Sequence, residues 1–335
     1  MKKVRILANT VILILVLTVF AYHIKNPSEI QASEITMTIT PPPSENPQPA
    51  ISPVPVRELK IKGSKIYYYY KGKMAKSSWK RYEGYKYYFS SKGYACTGGA
   101  RIDNKTYVFD QNGHLLEKQK NHMRTILGKK YYIISDSGRA ATGYFIYKNR
   151  LYYADSTGRC YQNRSRENGQ LKFTSSGAAV NDVNAQVKMW AMRTVASVTK
   201  PNMKQRQKLY ACWKYLVNAN NYSYGGPDPN QKKADWQRTT VLRMIRTNVG
   251  NCFGFSCTFS ALARELGYKP YLIMGRVPGT RDGAADGLTS HCWVRINGLY
   301  YDPEADWAGW MQGVFAYSYY PTSRCQILKI TPYYQ

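Results

Sequence analysis

The spacing of apolar residues changes along the 335-residue chain, and each change predicts a different kind of element. Residues 6–24 are almost continuously apolar, whereas residues 27–56 show no apolar period at all. Between 57 and 180, aromatic runs such as Tyr87-Tyr88-Phe89, Tyr131-Tyr132 and Tyr152-Tyr153 precede glycines that recur at Gly72, Gly93, Gly113, Gly138, Gly158 and Gly177. Each such unit reads as a short hairpin unable to bury its own face, so stacked neighbours would form a solenoid. Beyond residue 181 the period becomes three and four. Val183, Val187, Trp190, Ala191, Thr194 and Val198 make one helical stripe, and Leu209, Trp213, Leu216 and Val217 make a second.

A helix and a hairpin follow. Val241, Leu242 and Ile245 form a short stripe broken at Asn248-Val249-Gly250-Asn251. After Cys252, the residues Phe255, Phe259, Leu262, Ala263 and Leu266 recur at helical spacing, and Gly267 closes the helix. Asn297-Gly298 is a two-residue hairpin signal between the strand-like runs 292–296 and 299–302. With that turn Ile296 faces Leu299, Arg295 faces Tyr300 and Trp293 faces Asp302. Side chains alternate with period two, so His291, Trp293 and Asp302 share a face. His291 and Asp302 become diagonal neighbours, about 7–8 Å apart at the backbone and within side-chain reach. Helices followed by an antiparallel sheet predict an α+β domain over 181–335.

The chemistry follows from those placements. A cysteine in the first turn of a helix meets unpaired N–H groups and the positive dipole end, which favour a thiolate and supply oxyanion donors. A histidine on a strand, oriented by a carboxylate, completes a constellation suited to thiol acyl transfer. Cys252 on position alone also reads as a small buried hydrophobe. Cys257 and Cys292 read as packed positions; Asn251, Trp236 and Trp293 read as core or capping residues ahead of pocket or oxyanion contributors. Asp302, Glu304 and Asp306 match no metal-ligand spacing, and neither a metal nor a cofactor is expected.

The run Gly250-Asn-Cys252-Phe-Gly-Phe-Ser-Cys-Thr-Phe-Ser-Ala-Leu-Ala-Arg-Glu-Leu-Gly267, followed by 269–277, His291-Cys-Trp-Val and Tyr301-Asp302-Pro303, resembles the transglutaminase-like superfamily. The resemblance spans about residues 235–310. It implies a papain-like core with Cys252 as nucleophile, His291 as general base and acid, and Asp302 as the residue that orients the imidazole. The loop 278–290, carrying Arg281, Asp282 and Asp286, is longer than a minimal member needs; it either gates the site, reads the substrate or is simply solvated. Units such as Glu83–Gly93 and Lys148–Gly158 resemble the cell-wall-binding repeats of choline-binding and glucan-binding surface proteins. That resemblance implies wall-polymer binding, with Trp79, Tyr88, Tyr132 and Tyr153 as candidate ligand-binding residues. Trp79 is the one tryptophan in the repeats, so wall polysaccharide or teichoic acid is expected ahead of choline, and the tyrosines read equally well as packing between units.

Charge and composition set the surroundings. Residues 57–180 hold 25 basic and 8 acidic residues of a chain whose net charge is +28, so the excess sits in the repeats and favours an anionic polymer. Lys2, Lys3 and Arg5 precede the apolar run; nineteen residues span about 28 Å as a helix, close to a bilayer core. That length favours an uncleaved membrane anchor over a cleaved signal peptide, with the body outside. Eight of sixteen prolines in 27–56 predict an extended spacer. Export argues against nucleic acid as the partner. Seven cysteines leave at least one unpaired, consistent with a free Cys252, and permit a Cys212–Cys325 pair without requiring one.

The expected organisation is therefore a membrane segment over 1–24, a Pro-rich linker over 25–56, β-hairpin repeats over 57–180 and a transglutaminase-like α+β domain over 181–335. The expected activity is extracellular, wall-associated, cysteine-dependent acyl transfer on a peptide or protein substrate, with hydrolysis of peptide or isopeptide amides favoured because water is the default acceptor. Protein cross-linking and a catalytically idle wall-binding or adhesive role are the alternatives.

Overall fold

The computed structural model describes residues 57–335 apart from Gln312, Ser323 and Gln335. The expected membrane segment over 6–24 and the proline-rich spacer lie outside the described residues. Among those residues no helix is long and apolar enough to cross a membrane.

Six hairpins open the described chain. They are β1 (Arg57–Lys62) with β2 (Lys65–Tyr70) and a short β3 (Lys73–Met74), β4 (Ser78–Tyr82) with β5 (Tyr85–Phe89), β6 (Gly98–Ile102) with β7 (Lys105–Phe109), β8 (His122–Ile126) with β9 (Lys129–Ile133), β10 (Gly143–Tyr147) with β11 (Arg150–Ala154), and β12 (Arg164–Arg166) with β13 (Leu171–Phe173). Tight turns at Asp103-Asn104 and Lys148-Asn149 hold both central residues at positive φ, the twist that matches flanking strands. No hairpin is bonded only to itself. After each of the last five, a backbone N–H reaches the preceding hairpin: Ala95 to Ile66, Leu115 to Lys86, Ala140 to Thr106, Cys160 to Lys130 and Ala179 to Leu151, at 2.7–2.9 Å. Those five donors each lie two residues after one of the recurrent glycines. Phe89, Val108, Phe109, Ile133 and Leu151 are fully enclosed between units.

The last hairpin does not end in solvent. Leu171, Phe173 and Ala179 pack with Ala185 and Met189 of α1 (Val183–Val198), which covers the apolar face that another repeat would have covered. Asp182 caps α1 by accepting from the Ala185 N–H. Then come α2 (Gln205–Leu216), β14 (Ser223–Tyr224), α3 (Trp236–Thr247), β15 (Val249–Gly250), α4 (Cys252–Glu265), β16 (Tyr271–Pro278), β17 (Leu288–Ile296), β18 (Leu299–Tyr301), α5 (Pro303–Ala308), β19 (Phe315–Tyr317) and β20 (Gln326–Pro332). The main sheet has five strands in the order β19-β18-β17-β16-β20, and all its neighbours are antiparallel.

Helix α4 is the hub. Every residue from Cys252 to Ala263 is buried, with α1, α2 and α3 around it and β17 beneath. Trp213 of α2 meets Phe259 edge-on at 5.2 Å, and the Ser256 hydroxyl donates to the Cys292 carbonyl on β17 at 2.8 Å. The hairpin register is the expected one: Val294 pairs with Tyr301, Arg295 with Tyr300 and Ile296 with Leu299.

Several expectations need correction. β17 begins at Leu288, so residues 288–290 are strand and the intervening loop is only 279–287. Ser223-Tyr224 is strand, pairing in parallel with Val249-Gly250. All seven cysteines are free. Cys212 is packed with Ala191 and Leu262, whereas Cys325 lies beside Trp293 and Tyr320, so those two do not pair.

The repeats approach one another most closely at Gly99, where a Cβ would sit 1.8 Å from the Thr157 carbonyl oxygen and 2.8 Å from the Tyr131 ring. Gly99→Ala is expected to cost about 1–3 kcal/mol by overpacking, read as a lower unfolding midpoint in a denaturant melt. An unchanged midpoint would show that these units are not in such close contact.

Candidate active site

The local sequence places Cys252 at the head of α4. Asn251 caps the helix, accepting from the Gly254 N–H at 3.2 Å, and its amide donates to Asp228 at 2.6 Å. Asn251 is thus the capping residue expected. The N–H groups of Cys252 and its successor head the helix, where an α-helix supplies no acceptor of its own. Cys252 is 1 % exposed and His291 3 %.

His291 stands on β17 opposite Gly275 of β16. A Cβ at Gly275 would come within 2.6 Å of the Trp293 ring, so the glycine makes room for the indole that stacks on His291 at 5.9 Å and 21°. Asp302 ends the hairpin and caps α5. Its Oδ1 accepts from the Ala305 N–H at 3.1 Å, while Oδ2 accepts from the Tyr320 hydroxyl at 2.6 Å and lies 2.6 Å from His291 Nε2. Cys252 also acts on His291, and with Nε2 committed to Asp302 the ring nitrogen not engaged by that carboxylate is Nδ1. Burial by itself would lower the imidazole pKa; the Asp302 carboxylate and Cys252 outweigh it and hold the pKa well above the ordinary value. Burial and the neighbouring carboxylate push the Tyr320 phenol far up, so it stays a donor.

Sequence reasoning missed four neighbours. Glu304, in the first turn of α5, is buried with Oε2 3.7 Å from His291 Nδ1. Burial raises its pKa, the His291 and Arg281 charges pull it down, Asp302 pushes it up again, and Trp310 hydrogen-bonds it. Trp310 is half-exposed and meets the imidazole edge-on at 5.4 Å. Tyr320 and Tyr224 complete the set. A signal for α5 was present, since Asp302-Pro303-Glu304 has the cap, N1 proline and acidic residue of a helix start. Nothing local marks Tyr320, which lies eighteen residues from Asp302.

Loop 279–287 is bonded down. Arg281 donates to Tyr224 Oη at 3.3 Å, to Asp282 at 2.9 Å and to the Ser290 carbonyl, and its charge acts on Cys252. Asp282 accepts from the Ser290 N–H at 2.6 Å, which holds its carboxyl well below the usual range. Arg276 grips Asp286 with two bonds of 2.5 and 2.7 Å.

The other thiols differ from Cys252 in setting. Burial raises Cys257 and Cys292 well above the ordinary thiol value, and pushes Cys160 and Cys212 up to about 12. Of the acids weighed for a metal, Asp302 and Glu304 come together with His291, their ligand atoms within 4.8 Å. Asp306 turns away to accept from Trp213 Nε1 and the Gly313 N–H.

The four candidate wall-binding residues fall into three aromatic groups. Trp79 meets Tyr88 and Tyr107 edge-on at 5.1 Å each, with the Lys86 ammonium 4.6 Å from the indole. Tyr132 stacks on Phe145 at 5.1 Å and lies 5.0 Å from Tyr147. Tyr153 sits between Tyr144 and Tyr161 at 4.9 and 4.8 Å, under the Arg166 guanidinium at 3.7 Å. Two groups therefore already carry a cation of the chain itself.

Comparison with known proteins agrees with the geometry for the second half of the chain. Residues 192–312 match the family model of the transglutaminase-like superfamily, and this stretch is a transglutaminase-like domain. A search of the curated proteins returns no match. Among solved structures, the chain is similar to choline binding protein F from Streptococcus pneumoniae (26% identity over 38% of this chain and 41% of that one, TM-score 0.26). It is also similar to CbpJ from the same organism (28%, 36% and 41%, TM-score 0.26) and to the pneumococcal cell-wall endolysin of phage Cp-1 (23%, 40% and 40%, TM-score 0.28). The chain spans about two fifths of the length of each.

Tyr320→Phe removes one donor from the buried Asp302 carboxylate. The expected loss is about 1.5–3 kcal/mol, the range for a hydrogen bond to a charged group, measured by chemical denaturation. No measurable loss would mean that His291 and the Ala305 N–H satisfy Asp302 without the phenol.

Proposed function

We propose that the chain is a cysteine-dependent acyl-transfer enzyme acting on peptide or isopeptide amides, with Cys252 as nucleophile, His291 as general base and acid, and Asp302 as its orienting carboxylate. One observation carries the reading: a buried imidazole held through Nε2 by Asp302 at 2.6 Å, on which Cys252, at the head of a buried helix, also acts. The Cys252 proton passes to His291 Nδ1 to form a thiolate–imidazolium pair, and the thiolate sulfur then attacks the amide carbonyl. The carbonyl oxygen takes the negative charge beside the N–H groups at the head of α4. His291 then protonates the departing nitrogen as the C–N bond breaks, leaving a thioester on Cys252. Water attacks the thioester, its proton returns to His291, the C–S bond breaks and the acid leaves. Asp302 keeps the imidazole oriented throughout and stabilises its charged form. Hydrolysis is the favoured outcome because water is present in excess; cross-linking requires an amine to replace it.

The hairpin repeats, residues 57–180 on this reading, hold the enzyme domain, 181–335, at an anionic wall polymer outside the cell. The support is the basic excess of the repeats, their resemblance to wall-binding units and their three aromatic groups. A second reading, a wall-binding protein with an idle site, draws on the burial of Cys252, which is 1 % exposed.

Site-resolved iodoacetamide labelling of the full chain between pH 5 and 9 separates the two. The raised imidazole pKa keeps His291 charged through neutrality, so Cys252 is expected to react faster than the other six thiols below pH 7 and to lose that advantage in His291→Ala. Equal reactivity of Cys252 and its neighbours in the parent would leave the idle reading standing. For the repeats, retention on purified Gram-positive walls is expected to fall when teichoic acids are stripped and when salt is raised. Retention indifferent to both would exclude an anionic polymer as ligand.

A further inference from the structure

The mechanism above leaves one buried group beside the reaction centre unused. Glu304 is 7 % exposed, and its carboxylate points at His291, not at the helix that bears it. An acid in the first turn of a helix is ordinarily explained by the backbone dipole. Here α5 is six residues long and already capped by Asp302, so the dipole does not account for a carboxylate turned inward toward an imidazole. Nor is the orientation of His291 its task, since Asp302 holds the opposite nitrogen at 2.6 Å.

What Glu304 faces is the catalytic nitrogen. His291 Nδ1 is the nitrogen that Asp302 leaves for the Cys252 proton on the acyl-transfer reading, and Glu304 Oε2 lies 3.7 Å from it. That separation is long for a direct hydrogen bond but matches two acceptors sharing one water, each at about 2.8 Å. Once Cys252 is acylated and His291 has released its proton to the leaving amine, Nδ1 has a free lone pair. A water between Nδ1 and Glu304 then has one O–H directed at each, and its oxygen lone pair directed toward the thioester on Cys252. Burial favours the protonated Glu304, and the His291 and Arg281 charges together with Trp310 work against it.

We propose that Glu304 is a catalytic residue of the second half-reaction, which positions the water that hydrolyses the acyl-enzyme; this rests on the acyl-transfer reading of the site. In that step the water oxygen forms a bond to the thioester carbon while one water proton passes to His291 Nδ1. The other O–H stays hydrogen-bonded to Glu304. The C–S bond breaks, the sulfur recovers the proton from His291, and the acyl group departs as a carboxylic acid. Acylation does not use Glu304.

The test is pre-steady-state hydrolysis of 4-nitrophenyl acetate by the full chain, with intact-mass and peptide mapping of Cys252. Glu304→Gln, which keeps shape and loses charge, is expected to retain the parent's nitrophenolate burst. It should accumulate acetyl-Cys252 and lower steady-state turnover roughly tenfold to hundredfold. Hydroxylamine, a nucleophile that needs no bound water, should restore its turnover, and Glu304→Asp should lie between variant and parent. A Glu304→Gln burst that slows in step with turnover, or a turnover equal to the parent's, would overturn the assignment. A parent that gives neither burst nor acetyl-Cys252 would instead overturn the acyl-transfer reading on which it depends.

Discussion

The burial of α4 from Cys252 to Ala263 governs what the rest of the domain can be. Twelve consecutive buried residues require a helix whose every face is apolar or small, and Phe255, Cys257, Phe259, Ala261 and Ala263 meet that demand. A helix enclosed on all sides cannot shift along its axis without opening the packing around it. Its first residue is therefore held in place by the whole domain, and that residue is Cys252. The cap at Asn251, the parallel pair of β14 with β15 and the left-handed turn at Asn248 all converge on this one helix end.

The groups gathered at that end are costly to bury. An isolated imidazolium or carboxylate in a dry interior is strongly disfavoured, and each persists here because partners surround it. Asp302 receives bonds from His291, Tyr320 and the Ala305 N–H; His291 lies between Asp302 and Cys252, with Glu304 beyond. The same low-dielectric surroundings that make the cluster expensive also make its charges act strongly on one another. The Cys257 and Cys292 thiols are fully enclosed too, and burial keeps them neutral.

The repeats obey a different constraint. No hairpin has a core of its own, so stability passes from unit to unit through a backbone bond and a shared apolar layer. At the last unit α1 takes over, and polar links reinforce the joint: Glu167 of the final hairpin accepts from Tyr144 at 2.7 Å and pairs with Arg264 at the far end of α4. The array of hairpins and the helix that bears Cys252 thus share one continuous set of contacts.

Much of this was readable along the chain, and the boundary is physical. Local periodicity and turn chemistry determined the stripes of α1, α2 and α4, the closing Gly267, the hairpin character of the repeats and the register of β17 with β18, because each depends on residues within a few positions of one another. His291 and Asp302 belong to that class, being linked by a two-residue turn. Contacts between distant segments do not: Tyr320 on Asp302, Trp310 and Glu304 around His291, and Arg281 against Tyr224 arise when β18, α5 and the loop after β16 are folded onto the same helix end. Residues 288–290 joined β17 because β16 offered a partner strand, something no local composition of Leu288-Thr289-Ser290 announces. The sequence by itself determined the local elements on which Cys252, His291 and Asp302 stand and the faces they occupy. Tertiary structure alone decided how deeply they are buried and what surrounds them, since burial and electrostatic environment are properties of the packed whole.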